Sequence, residues 1–179
     1  MARTACLYSH GMEANPTTEA VDAFIQNVDY PLYVLTVGGD GDQRSGCIVG
    51  FASQCSIVPP RFLVCVSKVN HTYGVAERAP GFALHLLTSE QTDLAHIFAE
   101  ETGDQIDKFA QCRWRVGATG APILEECAAW LEGEPIARFS VGDHQAFVIE
   151  PVAGGSGLPG PVLTYRDGPD LHPAHPVNG

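Results

Sequence analysis

The sequence predicts a mainly β domain, an antiparallel β-barrel with helical decorations. Three observations predict it. Short apolar, β-branched runs recur along the chain between Gly, Pro and Asp turn signals. Helix-period patterns are few, and strands and helices do not alternate in the strict βαβ order of a parallel sheet. The 179 residues suit one domain, and 45% hydrophobic against 17% charged residues supplies enough apolar mass for its core.

Residues 1–15 carry no pattern and are expected to be a loose leader, with the domain itself spanning 16–168 and a mobile tail over 169–179. After Pro16, Val21, Phe24, Ile25 and Val28 fall at i, i+3, i+4 and i+7, the stripe of an amphipathic helix. Thr17 or Thr18 can cap it, Glu19 and Asp22 suit its first turn, and Pro31 stops it. "PLYVLTV" (Pro31 to Val37) reads as a strand, and the Gly/Asp run Gly38 to Gly46 as a turn into a hairpin partner over Cys47 to Ile57. Pro59-Pro60 must bend the chain, because proline cannot donate a ladder bond. "RFLVCVS" (Arg61 to Ser67) is continuously apolar, which predicts burial on both faces.

A short helix is expected over His71–Ala79 and a strand over Gly81–Leu87. Thr88 with Gln91 has the spacing of a capping box, and Leu94, Ile97 and Phe98 continue a helix that fades near Gly103. Further strands are expected around Gln111–Val116, Cys127–Phe139, Gln145–Pro151 and Val162–Tyr165.

The net charge of −11 disfavours nucleic acid and anionic membranes as partners. The chain holds no run of about 18 apolar residues, and its first residues lack the apolar segment of a secretory signal, so a cytoplasmic location is expected. Six cysteines, with no C-x-x-C pair, read as small buried thiols rather than a disulfide framework or a zinc site. "HPAHP" (His172 to Pro176) falls in the expected tail without an acidic or thiol partner, and "CRWRV" (Cys112 to Val116) reads as a solvated edge, so neither is taken as a site.

The sequence contains no G-x-G-x-x-G, P-loop, G-x-S-x-G or H-E-x-x-H motif. No nucleophile or acid–base pair announces itself, a pattern that suits chemistry supplied by a bound cofactor. One segment, Gly50 to Gly74, combines small and hydroxyl residues at its start, an apolar middle, and Lys68, Asn70, His71 and Thr72 near its end. A cation beside a helix start near His71 suits a phosphate, although the same residues also describe a solvated lysine before an ordinary cap.

The ordered pieces "YPLYVLTV", "GCIVGFASQCSIVPPRFLVCVSK", "NHT", "FALHLLTSEQTDLAHIFA", "DKF", "GAPILEECAAWLEGE", "GDHQAFVIEPV" and "LTYRDG" cover Tyr30 to Gly168. Together they resemble the flavin reductase-like, FMN-binding split-barrel family, which includes the reductase components of two-component flavin monooxygenases. The resemblance implies a homodimer with FMN near the subunit interface, FAD or a deazaflavin being alternatives. It implies hydride transfer from NADH or NADPH to the flavin, and delivery of reduced flavin to a partner monooxygenase. It places the flavin ring along Cys47, Val49, Gly50, Phe51, Ala52, Ser53, Gln54 and Cys55, where the residues alone would also fit a sheet strand with a glycine bulge. It places the phosphate at Lys68, Asn70, His71 and Thr72, the nicotinamide at His144, and Tyr165 and Arg166 close to the nucleotide. Gly50 stands where the family often has Asn, Ser53-Gln54 where it has Thr-Ser, and Val58 where an acid precedes the prolines. The same fold also hosts flavin- or haem-binding carriers and sensors without reductase turnover.

Overall fold

In a computed structural model of the chain, residues 16–38, 43–100, 106–166 and 168 are described. The expected leader, the expected tail and the centre of the first turn lie outside them. Apolar β-branched runs form a seven-stranded antiparallel sheet. In chain order its strands are β1 (Tyr33–Gly38), β2 (Arg44–Val49), β3 (Ala52–Ser56), β4 (Arg61–Ser67), β5 (Gly81–Leu86), β8 (Ala129–Ser140) and β9 (His144–Ser156). Their spatial order is β2-β1-β5-β8-β9-β4-β3. Between β5 and β8, β6 (Trp114–Val116) and β7 (Pro122–Leu124) pair as a separate two-stranded sheet. The helices are α1 (Pro16–Ile25), α2 (His71–Ala76) and α3 (Thr92–Glu100), with a 3₁₀ turn at Lys108–Gln111.

The expected single strand over Cys47–Ile57 is in fact two strands. The chain leaves β2 at Val49 and enters β3 at Ala52, yet β2 and β3 are the two opposite edges of the sheet. Two residues, Gly50 and Phe51, connect them, so Val49 and Ala52 are at most about 11 Å apart. The sheet must therefore roll up until its edges meet there. No β2–β3 ladder closes the seam among the described residues, which gives a barrel split along one side.

Inside the roll, alternate residues of each strand meet. Leu35 and Val37 of β1, Val64 and Val66 of β4, and Phe82 and Phe147 form one core, capped by Ala76 of α2. The opposite face of β1 supplies Val34 to a second core with Leu87, Phe98, Phe109, Leu124 and Leu163. β4 is not buried on both faces as its apolar run suggests: Val64 and Val66 are buried while Leu63 and Cys65 are half-buried within one chain. The α1 stripe is likewise uncovered at Val21 and Phe24. The expected strand at Val162–Tyr165 makes only isolated bridges, Thr88 with Val162 and Pro31 with Thr164. Cys47 and Cys127 are buried free thiols, and Cys65 and Cys112 are half-buried. Cys55 is exposed, against expectation, because it lies on β3, an edge strand.

Three buried polar side chains tie the small sheet to the barrel, the first being Thr36 of β1, whose hydroxyl donates to the Pro122 carbonyl. The Leu124 amide donates to His85 Nε2 at 3.0 Å, so Nδ1 carries the proton and donates to the Val34 carbonyl at 3.1 Å. Burial holds this neutral ring down to about pKa 4. Glu132, 1% exposed, accepts from the Ala118 amide and from both the amide and the hydroxyl of Thr119.

Candidate functional site

β3 pairs with β4 alone among the described residues, in the register Ala52–Val64, Ser53–Leu63 and Gln54–Phe62. The Cys65 amide donates to the Phe51 carbonyl at 2.9 Å. Antiparallel pairs alternate between bonded and non-bonded, so the ladder takes Ser53 and turns the main chain of Ala52 and Gln54 to the open side. The Ala52 amide folds back on the Gly50 carbonyl, leaving the Gln54 amide on the free edge. A bulge follows between Gln54 and Ser56. Ser53, Gln54 and Cys55 are all exposed. Cys47 and Val49, by contrast, are buried in the core, and burial pushes the Cys47 thiol up to about 11.

Four aromatic rings line up across the seam. Phe51, 49% exposed, has its ring centroid 5.3 Å from that of His144 and 6.3 Å from that of Tyr30. Tyr30 stacks on Tyr165 at 5.0 Å, and the Tyr165 amide donates to the Tyr30 carbonyl. Gly50 is needed beside them: a Cβ there would lie 2.7 Å from the Tyr30 ring. The structure thus joins His144, Phe51 and Tyr165, distant in sequence, into one row through Tyr30, which packs on Phe51 and Tyr165 and whose role the sequence did not reveal. Arg166 is drawn to α1 instead, donating from Nη2 to the Gln26 carbonyl at 2.7 Å and from its amide to Asp29.

At the other end of β4, Asn70 caps α2, its side-chain oxygen accepting from the Thr72 amide at 2.9 Å. The Thr72 hydroxyl is buried and hydrogen-bonded to Ser45, so it braces the helix start from inside rather than presenting a donor outward. His71 is half-buried on the first turn. Lys68 points to the turn between β8 and β9, donating to Ser140 Oγ at 2.6 Å and to the Gly142 carbonyl. Of the four residues expected at a phosphate, Asn70 and His71 stand at the α2 start, the Lys68 ammonium spends two of its donors on the β8–β9 turn, and the Thr72 hydroxyl is turned inward.

The β8–β9 turn is shaped by Gly142, whose φ of +89° an L side chain rarely adopts. It carries Asp143, which contacts His144 Nδ1 at 2.9 Å. That hydrogen bond, with a smaller contribution from Lys68, holds the Asp143 carboxyl below its usual range. The β4–β9 ladder sets His144 opposite Ser67. An open main-chain edge, a row of rings and a carboxyl-oriented imidazole can hold a planar heterocycle and orient a second one against it. Ser140 and Tyr30 carry no local signal: one is a polar strand end, the other an isolated aromatic before a proline.

Comparison with known proteins decides the family. Residues 25–169 match the flavin reductase like domain. The chain belongs to the flavin reductase-like domain family. Among curated relatives of this family, a probable flavin reductase of Rhizobium meliloti is 32% identical over 136 residues, 75% of this chain and 42% of the relative. The reductase component of a 4-nitrophenol 4-monooxygenase/4-nitrocatechol 2-monooxygenase of Rhodococcus opacus is 31% identical over 133 residues, 74% of this chain and 69% of the relative. The chain spans about half the length of the first curated relatives it matches, 42% and 57%. An FMN-binding protein of Thermus thermophilus is 27% identical, with a TM-score of 0.70 over 83% of this chain and 79% of that one. An NADH:FAD oxidoreductase of Streptomyces globisporus, 23% identical, shares the fold at a TM-score of 0.76 over 89% of this chain and 95% of that one.

Proposed function

We propose that this protein is an NAD(P)H:flavin oxidoreductase that reduces FMN or FAD and supplies the reduced flavin to a partner monooxygenase. The observation that carries the reading is the family match over residues 25–169, which takes in β3, the Gly50–Phe51 link before it and the Gly142–His144 turn, with Phe51 of the link packing on His144. The open edge of β3 and its exposed Ser53, Gln54 and Cys55 fit a planar ring with carbonyl oxygens and ring nitrogens along one side. Bound there, a flavin would supply the two-electron chemistry, accepting hydride from a reduced nicotinamide.

This chain's own residues bind and orient. The Gln54 amide would anchor the ring edge, Phe51, Tyr30 and Tyr165 would wall the seam against water, and His144, aligned by Asp143, would face the nicotinamide. The flavin phosphate is assigned to the Lys68–Thr72 segment, with Asn70 and His71 nearest and the Lys68 ammonium as the cation. Gly50, which leaves room for Tyr30, and Arg166 at the α1 end would bound the site.

A homodimer is part of the proposal. Ile57 and Val58 are 80% and 88% exposed, and Ile136, Phe139, Val141 and Val152 are also exposed on and around the long β8–β9 arm. That much uncovered apolar surface on two neighbouring strands suits a second copy. Steady-state oxidation of NADH and NADPH by the purified protein with FMN, FAD and riboflavin tests the reading. Oxidation no faster than the protein-free blank with every pair would end it. A second reading, a flavin carrier without turnover, draws on the likeness to the Thermus FMN-binding protein. A bound flavin that neither nicotinamide reduces under anaerobic titration would favour it.

A further inference from the structure

We propose that Lys68 is a positioning residue for His144, because its ammonium staples the β8–β9 turn to the end of β4. The assignment rests on the reductase reading above, in which His144 faces the nicotinamide. Three bonds join the two segments. Lys68 Nζ donates to Ser140 Oγ and to the Gly142 carbonyl, and the Lys68 amide donates to the Asp143 carbonyl at 3.0 Å. Ser140 is the last residue of β8 and Gly142 the left-handed corner of the turn, so the ammonium holds the turn on both sides of its apex.

Such a turn needs holding. Val141, Gly142 and Asp143 are all exposed, and the turn's one internal main-chain bond runs from the Val141 amide to the His144 carbonyl. Little of the apex is buried: Val141, its one apolar side chain, is 45% exposed. Charge-assisted hydrogen bonds from a lysine are about twice as strong as neutral ones, and an ammonium has three donors. Two are used on the turn, and the third is left for a flavin phosphate. One side chain can then meet the flavin tail and set the imidazole. The Asp143–His144 contact would orient the ring only as well as the turn is held.

The test compares wild type, Lys68→Met and Ser140→Ala, with riboflavin as acceptor so that no phosphate contact is involved. Nicotinamide kcat/KM is measured together with amide hydrogen exchange of the 139–146 segment in the free protein. The expected result is faster exchange of that segment in both variants, with a fall in nicotinamide kcat/KM of about tenfold for Lys68→Met and a smaller fall for Ser140→Ala. The KM for riboflavin stays within about twofold of wild type. Unchanged exchange in Lys68→Met, or faster exchange with unchanged nicotinamide kinetics, overturns the assignment, as does a defect that appears with FMN but not with riboflavin. A wild-type protein that oxidises neither nicotinamide removes the reductase reading, and this role for Lys68 with it.

Discussion

Acid should weaken this protein from within, through His85. The ring is wholly buried between β1 and β7, donating to the Val34 carbonyl and accepting from the Leu124 amide, so it has no acceptor to offer a second proton. Its pKa is lowered from 6.5 to about 4, first by burial, against weaker opposing effects from Val34 and the nearby Glu132. The unfolded chain therefore binds the proton more readily than the folded one between those values. Stability from this group is complete above the unfolded pKa and is lost as pH falls from there through the folded pKa. Linkage gives about 2 kcal/mol lost at pH 5 and about 3 kcal/mol once pH is below both values. Urea unfolding at pH 7.5, 6 and 5 on wild type and His85→Gln measures it, because the other titrating groups cancel in the difference. Wild type should lose about 2 kcal/mol more than the variant between pH 7.5 and 5, roughly 1 M in urea midpoint at a typical slope. Parallel pH dependence of the two proteins would refute the reasoning.

Glu132→Ala strips the acceptor from three donors of the Ala118–Thr119 turn. A loss of at least about 3 kcal/mol is expected in denaturant titrations, partly recovered by Glu132→Gln, which keeps one acceptor oxygen. Gly50→Ala would set a methyl 2.7 Å from the Tyr30 ring. It should cost about 1–3 kcal/mol and weaken flavin binding, as read by fluorescence quenching. His144→Ala should raise the nicotinamide KM about tenfold while the flavin KM moves less than twofold, as steady-state kinetics would show.

Much of the fold can be read from residue type. The Gly/Asp run before β2 announces the β1–β2 hairpin. The Thr88 amide does donate to the Gln91 side chain, but α3 starts later than the capping spacing suggests: the Gln91 carbonyl accepts from the Ala95 amide, so Gln91 itself stands at the cap and Thr88 lies in a bridge to Val162. The jump at Gly50–Phe51 is not legible, because a strand that changes sheet edges has the same local pattern as one that runs on. β7 is not legible either, because three residues headed by a proline carry no strand signal, although proline is tolerated at the first residue of a short edge strand. In the site, the polar residues after β4 are legible as a group. The directions of their side chains are not: Lys68 turns toward Ser140 and Thr72 toward Ser45, partners far along the chain. Tyr30 acquires a role only when β2, β3 and Tyr165 converge on it.

The two-residue link from β2 to β3 leaves no slack. One residue inserted between Val49 and Ala52 would turn β3 over, because neighbouring strand positions face opposite ways. Its outward residues would then face the interior, and the edge proposed to hold the flavin ring would be lost without any change to its composition. Differences in length among proteins of this architecture should therefore gather at hairpin tips, while this splice keeps its count of two.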